Sequence, residues 1–136
     1  MHEMDSADGF GPAMLADVKP RFIPEGASGM TVLVEWPPSD PGTPPHRHTG
    51  PCSGYVIEGE LRWELEGEPE RVIKAGETFW EPGGDVIRYQ NGNALSDAPA
   101  KYIVFVMCAP GQPMLTMVDE EEFERRAHLR APRPPD

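Results

Sequence analysis

Three things are scarce in this chain of 136 residues: long apolar runs, basic side chains and cysteine. No apolar run approaches the roughly 18 residues that a membrane-crossing helix needs. The first ten residues, MHEMDSADGF, are acidic and hold no apolar stretch of the signal-peptide kind. A cytoplasmic location without a membrane partner is therefore expected. Lysine and arginine number 12 against 23 aspartates and glutamates, a formal net charge of −11. That balance repels a phosphate backbone and no basic cluster offsets it, so nucleic acid is not an expected partner. Cysteine occurs only at Cys52 and Cys108, too few for a multi-bridge framework and in keeping with free thiols. Leu, Ile, Val and Phe together make only 26 of the 136 residues, and with this net charge such a composition is the usual mark of disorder.

What is abundant is glycine, with 14 residues, and proline, with 17. Their placement decides between disorder and a turn-rich fold. Residues 21–108 hold all three Trp, all three Tyr and most of the large aliphatics, enough for one compact core. Residues 1–20 read as an N-terminal arm, and residues 109–136 as a C-terminal segment with a short helix and a disordered tail, RAPRPPD.

Within 21–108 the chain runs as short extended stretches separated by Gly or Pro: TVLVEW (31–36), GYVIEG (54–59), LRWELE (61–66), ERVIK (70–74), ETFWE (77–81), DVIRYQ (85–90) and KYIVFVM (101–107). In LRWELE, Leu61, Trp63 and Leu65 alternate with Arg62, Glu64 and Glu66, which predicts one buried face and one wet face. Seven such strands, with no room for crossover helices, predict an all-β fold, an antiparallel sandwich or barrel. One helix is expected in VDEEEFERRAHL (118–129). Asp119 can cap it, Glu120 to Glu122 and Arg125, Arg126 and His128 suit the macrodipole, and the thin stripe of Phe123 and Ala127 suggests loose packing on the outside.

His46 and His48 form an H-x-H pair after Thr43-Pro44-Pro45. In an extended segment residues two apart share a face, roughly 6.5–7 Å apart, so two imidazoles can converge on one ion. Two solvated loop histidines would read the same way.

In PGTPPHRHTGPCSGYVIEGE and AGETFWEPGGDVIRYQN, His46, His48 and Gly59, then Gly76, Pro82, Gly84 and Asn91, stand at fixed separations. On these residues the chain resembles the cupin family, small β-barrels that bind a metal ion inside the barrel. The resemblance implies a single antiparallel cupin-type β-barrel, or jelly roll, with His46 and His48 as metal ligands. Cys52 stands where the family usually has a glutamate ligand, and Ile87 where it has a third histidine. Three readings are therefore open. Cys52 joins His46 and His48 around zinc, or less specifically iron, copper or manganese. Alternatively, the two histidines hold a metal weakly, helped by Tyr89. Or no metal binds, and the barrel captures a small molecule as a sensor or carrier.

Counting alternate residues places Val56, Ile87 and Tyr89 inward, with Trp63 lining the same space and Arg88 and Glu81 pointing outward into a surface salt bridge. Aromatics at a barrel mouth suit a small-molecule ligand. Oxygenase-, isomerase- or cyclase-like chemistry follows from the resemblance if a metal is present; binding without catalysis follows if none is. No nucleophile elbow, phosphate loop or Cys-x-x-Cys pair occurs. Open sheet edges need cover, so a homodimer is expected, with the N-terminal arm as the exchanged or covering element.

Overall fold

The computed structural model describes residues 9–132. The first eight residues of the expected N-terminal arm and the last four of the expected C-terminal tail lie outside them. The expected runs all contain strands: β1 (Ser28–Trp36), β3 (Cys52–Glu58), β4 (Glu60–Leu65), β5 (Arg71–Lys74), β6 (Thr78–Glu81), β7 (Arg88–Gln90) and β8 (Ala100–Cys108), with two short additions, β2 (His46–Arg47) and β9 (Thr116–Met117). They form a four-stranded sheet, β1-β8-β3-β6, and a five-stranded sheet, β5-β4-β7-β2-β9, with antiparallel pairing throughout. The two sheets face each other across one core and keep separate hydrogen-bond ladders, the two-sheet form of the expected jelly roll.

Alternation fills that core. Leu61, Trp63 and Leu65 of β4 are buried, as are Tyr102, Val104 and Val106 of β8, and Phe79 of β6 packs 4.7 Å from Trp63, ring centre to ring centre. Glu64 breaks the pattern, being buried as well. Its carboxylate is held by Arg130 at 2.6 and 2.8 Å and by Gln90 at 2.7 Å. Gly59, at the turn between β3 and β4, has φ +79°, and a Cβ there would lie 2.4 Å from the Pro99 carbonyl. Only glycine fits that turn.

The C-terminal segment is more than a loose appendage. β9 adds an edge to the second sheet by pairing with β2. The helix is shorter than expected: α1 (Glu120–Arg125) is capped by Asp119, whose side chain accepts from the Glu122 N–H at 2.8 Å, and a 3-10 turn (Ala127–Leu129) follows. None of its residues is buried, so hydrophobic packing does little to hold it. Ion pairs do: Arg126 reaches Glu66, Asp85 and Glu122, and Arg47 reaches Glu122. To the expected loose external packing the structure thus adds a charged clamp.

The outer face of the first sheet is apolar. Cross-strand register sets Leu33, Ile103, Tyr55 and Thr78 in one row, and Phe105 sits beside them, 41% exposed. Met14 and Leu15 of the N-terminal arm line a groove with Tyr55, Ile103 and Phe105. No helix among the described residues is long and apolar enough to cross a membrane.

Candidate functional site

The loop that delivers the histidines is fixed before them. The Asn91 side chain acts as a second peptide group for Thr43: its Nδ2 donates to the Thr43 carbonyl at 2.7 Å, and its Oδ1 accepts from the Thr43 N–H at 3.0 Å. Gly42 has φ +78°, and a Cβ there would lie 2.7 Å from that same Oδ1. A glycine, a run of prolines and one asparagine therefore set where β2 begins.

His46 and His48 then enter the space between the sheets, both buried, with ring centres 5.1 Å apart and ring planes nearly perpendicular. His46 Nδ1 is 2.8 Å from the Pro44 carbonyl and His48 Nδ1 is 2.7 Å from the Met114 carbonyl. A carbonyl can only accept, so each Nδ1 carries the proton and each Nε2 is left with a bare lone pair. Burial, reinforced by the Arg88 charge, pushes the His46 pKa down to about 4. Burial also lowers that of His48, despite an opposing pull from Glu81. Both rings are neutral at pH 7. His48 Nε2 has no hydrogen-bond partner and faces Glu81 Oε1 at 3.4 Å.

Glu81 and Arg88 are not on the surface. Both are buried, which overturns their expected outward placement. The register explains why: Cys52 pairs with Glu81 across β3 and β6, and His46 pairs with Arg88 across β2 and β7. Directly opposed residues share a face, so whatever turns Cys52 and His46 inward turns Glu81 and Arg88 inward too. Arg88 Nε donates to Glu81 Oε2 at 3.2 Å and Nη2 donates to Oε1 at 2.9 Å, a two-pronged pair. The guanidinium carbon also lies 4.6 Å from the Trp63 ring centre, in cation–π range. Desolvation pushes the Glu81 pKa up, but Arg88, with His48 assisting, outweighs it and holds the carboxyl below its usual range. The pair is fully charged at pH 7.

Cys52 is fully buried, and burial together with the Glu81 charge raises its thiol pKa strongly. It is a neutral thiol, weakly directed to the Gly50 carbonyl at 3.8 Å. Cys108 is also buried and unpaired, its Sγ directed at the carbonyls of Gln112 and Pro113. Among the described residues, His48, Cys52 and Glu81 bring three potential ligand atoms within 4.8 Å of one another.

A cavity of about 100 Å³ lies beside the two histidines, with Arg88 and Asn91 among its polar lining and Val34, Trp36, Met114 and Leu115 among its apolar walls. Ile87, Tyr89, Val56 and Trp63, singled out as pocket residues, are not part of that lining. Val56 and Trp63 belong to the core cluster. Ile87 is buried, and its carbonyl accepts from the Glu66 N–H at 2.9 Å. Tyr89 turns to the C-terminal segment, where it meets Phe123 edge-on and lies under the Arg130 guanidinium at 4.5 Å. Sequence reasoning turned Glu81 and Arg88 outward and passed over the Met114 carbonyl. Glu81 was within reach, because alternation in Thr78-Phe79-Trp80-Glu81 puts it on whichever face Phe79 takes.

Residues 32–107 match the family described as Cupin domain. No curated protein matches the chain. Among solved structures, it is similar to a cupin-like protein from Thermotoga maritima, with 22% identity, 72% of each chain covered and a TM-score of 0.54. It is similar to a DMSP lyase from Ruegeria pomeroyi, with 20% identity, 67% of this chain and 43% of that chain covered and a TM-score of 0.53. An oxalate oxidase solved with the substrate analogue glycolate gives 24% identity, 84% and 68% coverage and a TM-score of 0.53. At these identities the likeness is one of fold.

Proposed function

Since its match spans more than half of the chain, the protein belongs to the cupin family, and from that premise we propose that it binds a small organic molecule between its sheets, beside His46 and His48, without a resident metal ion. The observation that carries this reading is the buried, partnerless Nε2 of His48, in a ring that lines the cavity together with His46. A buried acceptor left unsatisfied costs about 1–3 kcal/mol, and a ligand that brings a hydroxyl donor regains it. The apolar walls suit a short carbon skeleton. About 100 Å³ is roughly the liquid volume of three waters, which favours short-chain alcohols and hydroxy acids. A histidine with a pKa of about 4 is a poor proton acceptor for catalysis at neutral pH, where the best base titrates near the working pH. That supports binding over proton transfer.

Cupins often hold a metal, and three donors here could meet one. His48, Cys52 and Glu81 are close enough, and imidazole with thiolate suits zinc. Against this, both Glu81 oxygens are engaged by Arg88, and Ile87 stands at the remaining family position. One carboxylate and one guanidinium already balance the charge. In this arrangement the residues do not fit a resident zinc, iron, copper or manganese ion, and no oxygenase-, isomerase- or cyclase-type step is assigned.

The apolar row on the outer sheet supports a homodimer formed through that face and the N-terminal arm, and two unpaired thiols support a cytoplasmic setting. Histidine-ring NMR during titration with C2–C4 alcohols and hydroxy acids tests the ligand reading. Saturable shifts of the His46 and His48 signals, absent in His48→Phe, are expected; unmoved rings across the whole panel would refute it.

A further inference from the structure

The charge arrangement around Glu81 leads further. Resting on the metal-free reading above, we propose that Arg88 occupies the place of a divalent cation and masks a latent zinc site made of His48, Cys52 and Glu81, with His46 beside it. Four observations carry this. The three ligand atoms already converge within 4.8 Å. The His48 Nε2 is buried, unpartnered and aimed at Glu81, and it is in the form that ligates metal, because its Nδ1 proton is tied to a backbone carbonyl. The guanidinium is locked in place, paired to both Glu81 oxygens and stacked on Trp63. Finally, His46 and Arg88 are directly opposed in the sheet, so the guanidinium projects from the strand position facing the first histidine of the H-x-H pair.

A permanent positive charge a few ångström away repels a dication strongly in a poorly solvated interior. Arg88 also occupies the only carboxylate in the set. Removing the guanidinium leaves a carboxylate, a bare imidazole nitrogen and a thiol facing an uncompensated negative charge. In that variant His48, Cys52 and Glu81 would hold zinc, Cys52 giving up its Sγ–H proton to solvent to ligate as thiolate, with nothing oxidised or reduced.

The experiment uses the full chain, without a histidine tag and stripped by chelator, and zinc alone as the probe. Equilibrium dialysis against zinc sulfate is expected to leave the wild type without stoichiometric metal and with an unchanged thermal midpoint. Arg88→Met is expected to take up one zinc per chain, with affinity at least about 100-fold above the wild type, and to lose it when Cys52→Ala is added. Arg88→Met is destabilised, so zinc-dependent refolding of Arg88→Met and of Arg88→His is measured alongside. Recovery of native circular dichroism on zinc addition supports the proposal. Failure of both variants to bind or refold with excess zinc overturns it, while the metal-free reading of the wild type stands. Tight stoichiometric zinc in the wild type overturns both.

Discussion

The molecule uses the same chemistry, arginine against carboxylate, in two places with opposite surroundings. Between the sheets, Arg88 and Glu81 form one pair sealed from water, with side chains 5% and 2% exposed. On the rim, Arg47 and Arg126 hold the C-terminal segment through Glu122, Glu66 and Asp85 in a network whose side chains range from 10% exposed at Glu66 to 83% at Asp85. A sealed pair is weak evidence of stabilisation, since desolvation consumes much of the attraction, yet losing one partner leaves a stranded charge. A rim network is the reverse: each link contributes little, salt screens it, and no single loss is serious. The interior pair therefore specifies a site, whereas the rim pairs tie a segment to the edge of the fold.

The largest expected effect comes from breaking the interior pair on one side. Arg88→Met should lower unfolding free energy by about 3–5 kcal/mol, measured by denaturant titration in the presence of chelator. Arg88→Met with Glu81→Met should recover most of that loss. A single variant of wild-type stability would mean that water reaches Glu81 and that the two regions do not differ as described.

Next comes acid. The folded-state pKa of His46 lies near 4, below the unfolded value of 6.5, so between these limits the unfolded chain binds more protons than the native one. Stability is full above pH 6.5 and declines as pH falls towards 4, by about 2–3 kcal/mol between pH 7 and 4.5. Denaturation midpoints across that range should show it, and His46→Gln should flatten the slope.

A smaller effect is expected at the rim. Arg126→Gln should cost about 1 kcal/mol at low salt and less as ionic strength rises, whereas the Arg88→Met loss should be nearly independent of salt. Smallest of all is Phe105→Glu on the outer face, expected to change monomer stability by under about 0.5 kcal/mol. It should nonetheless shift gel-filtration elution from dimer to monomer; a wild type eluting as a monomer would remove the proposed interface.

Much of the fold was legible because strand alternation and turn chemistry are local. LRWELE announced its buried face, and Gly59, Gly76 and Gly84 stand at turns with φ of 79°, 89° and 72°, where their motif spacing had put them. The site was less legible for a physical reason. Alternation counts faces only while the chain stays extended, and residues 82–87 run through turns and irregular backbone. Counting across that stretch put Ile87 and Tyr89 inside and Arg88 outside. The pairing of His46 with Arg88, a contact 42 positions apart in sequence, decides the question, and no local pattern encodes it. β9 escaped notice likewise, being two residues long and paired to an equally short strand.

The Met114 carbonyl that accepts the His48 Nδ1 proton comes from the segment the rim pairs hold down. The protonation address of a ring in the interior is thus written by residue 114, far along the chain and beyond the last long strand. If that segment lifts, His48 loses the acceptor that tells its two nitrogens apart, and the ring becomes free to present a donor where it had presented an acceptor. The segment that walls the cavity with Met114 and Leu115 is therefore the same one that assigns the acceptor and donor ends of His48.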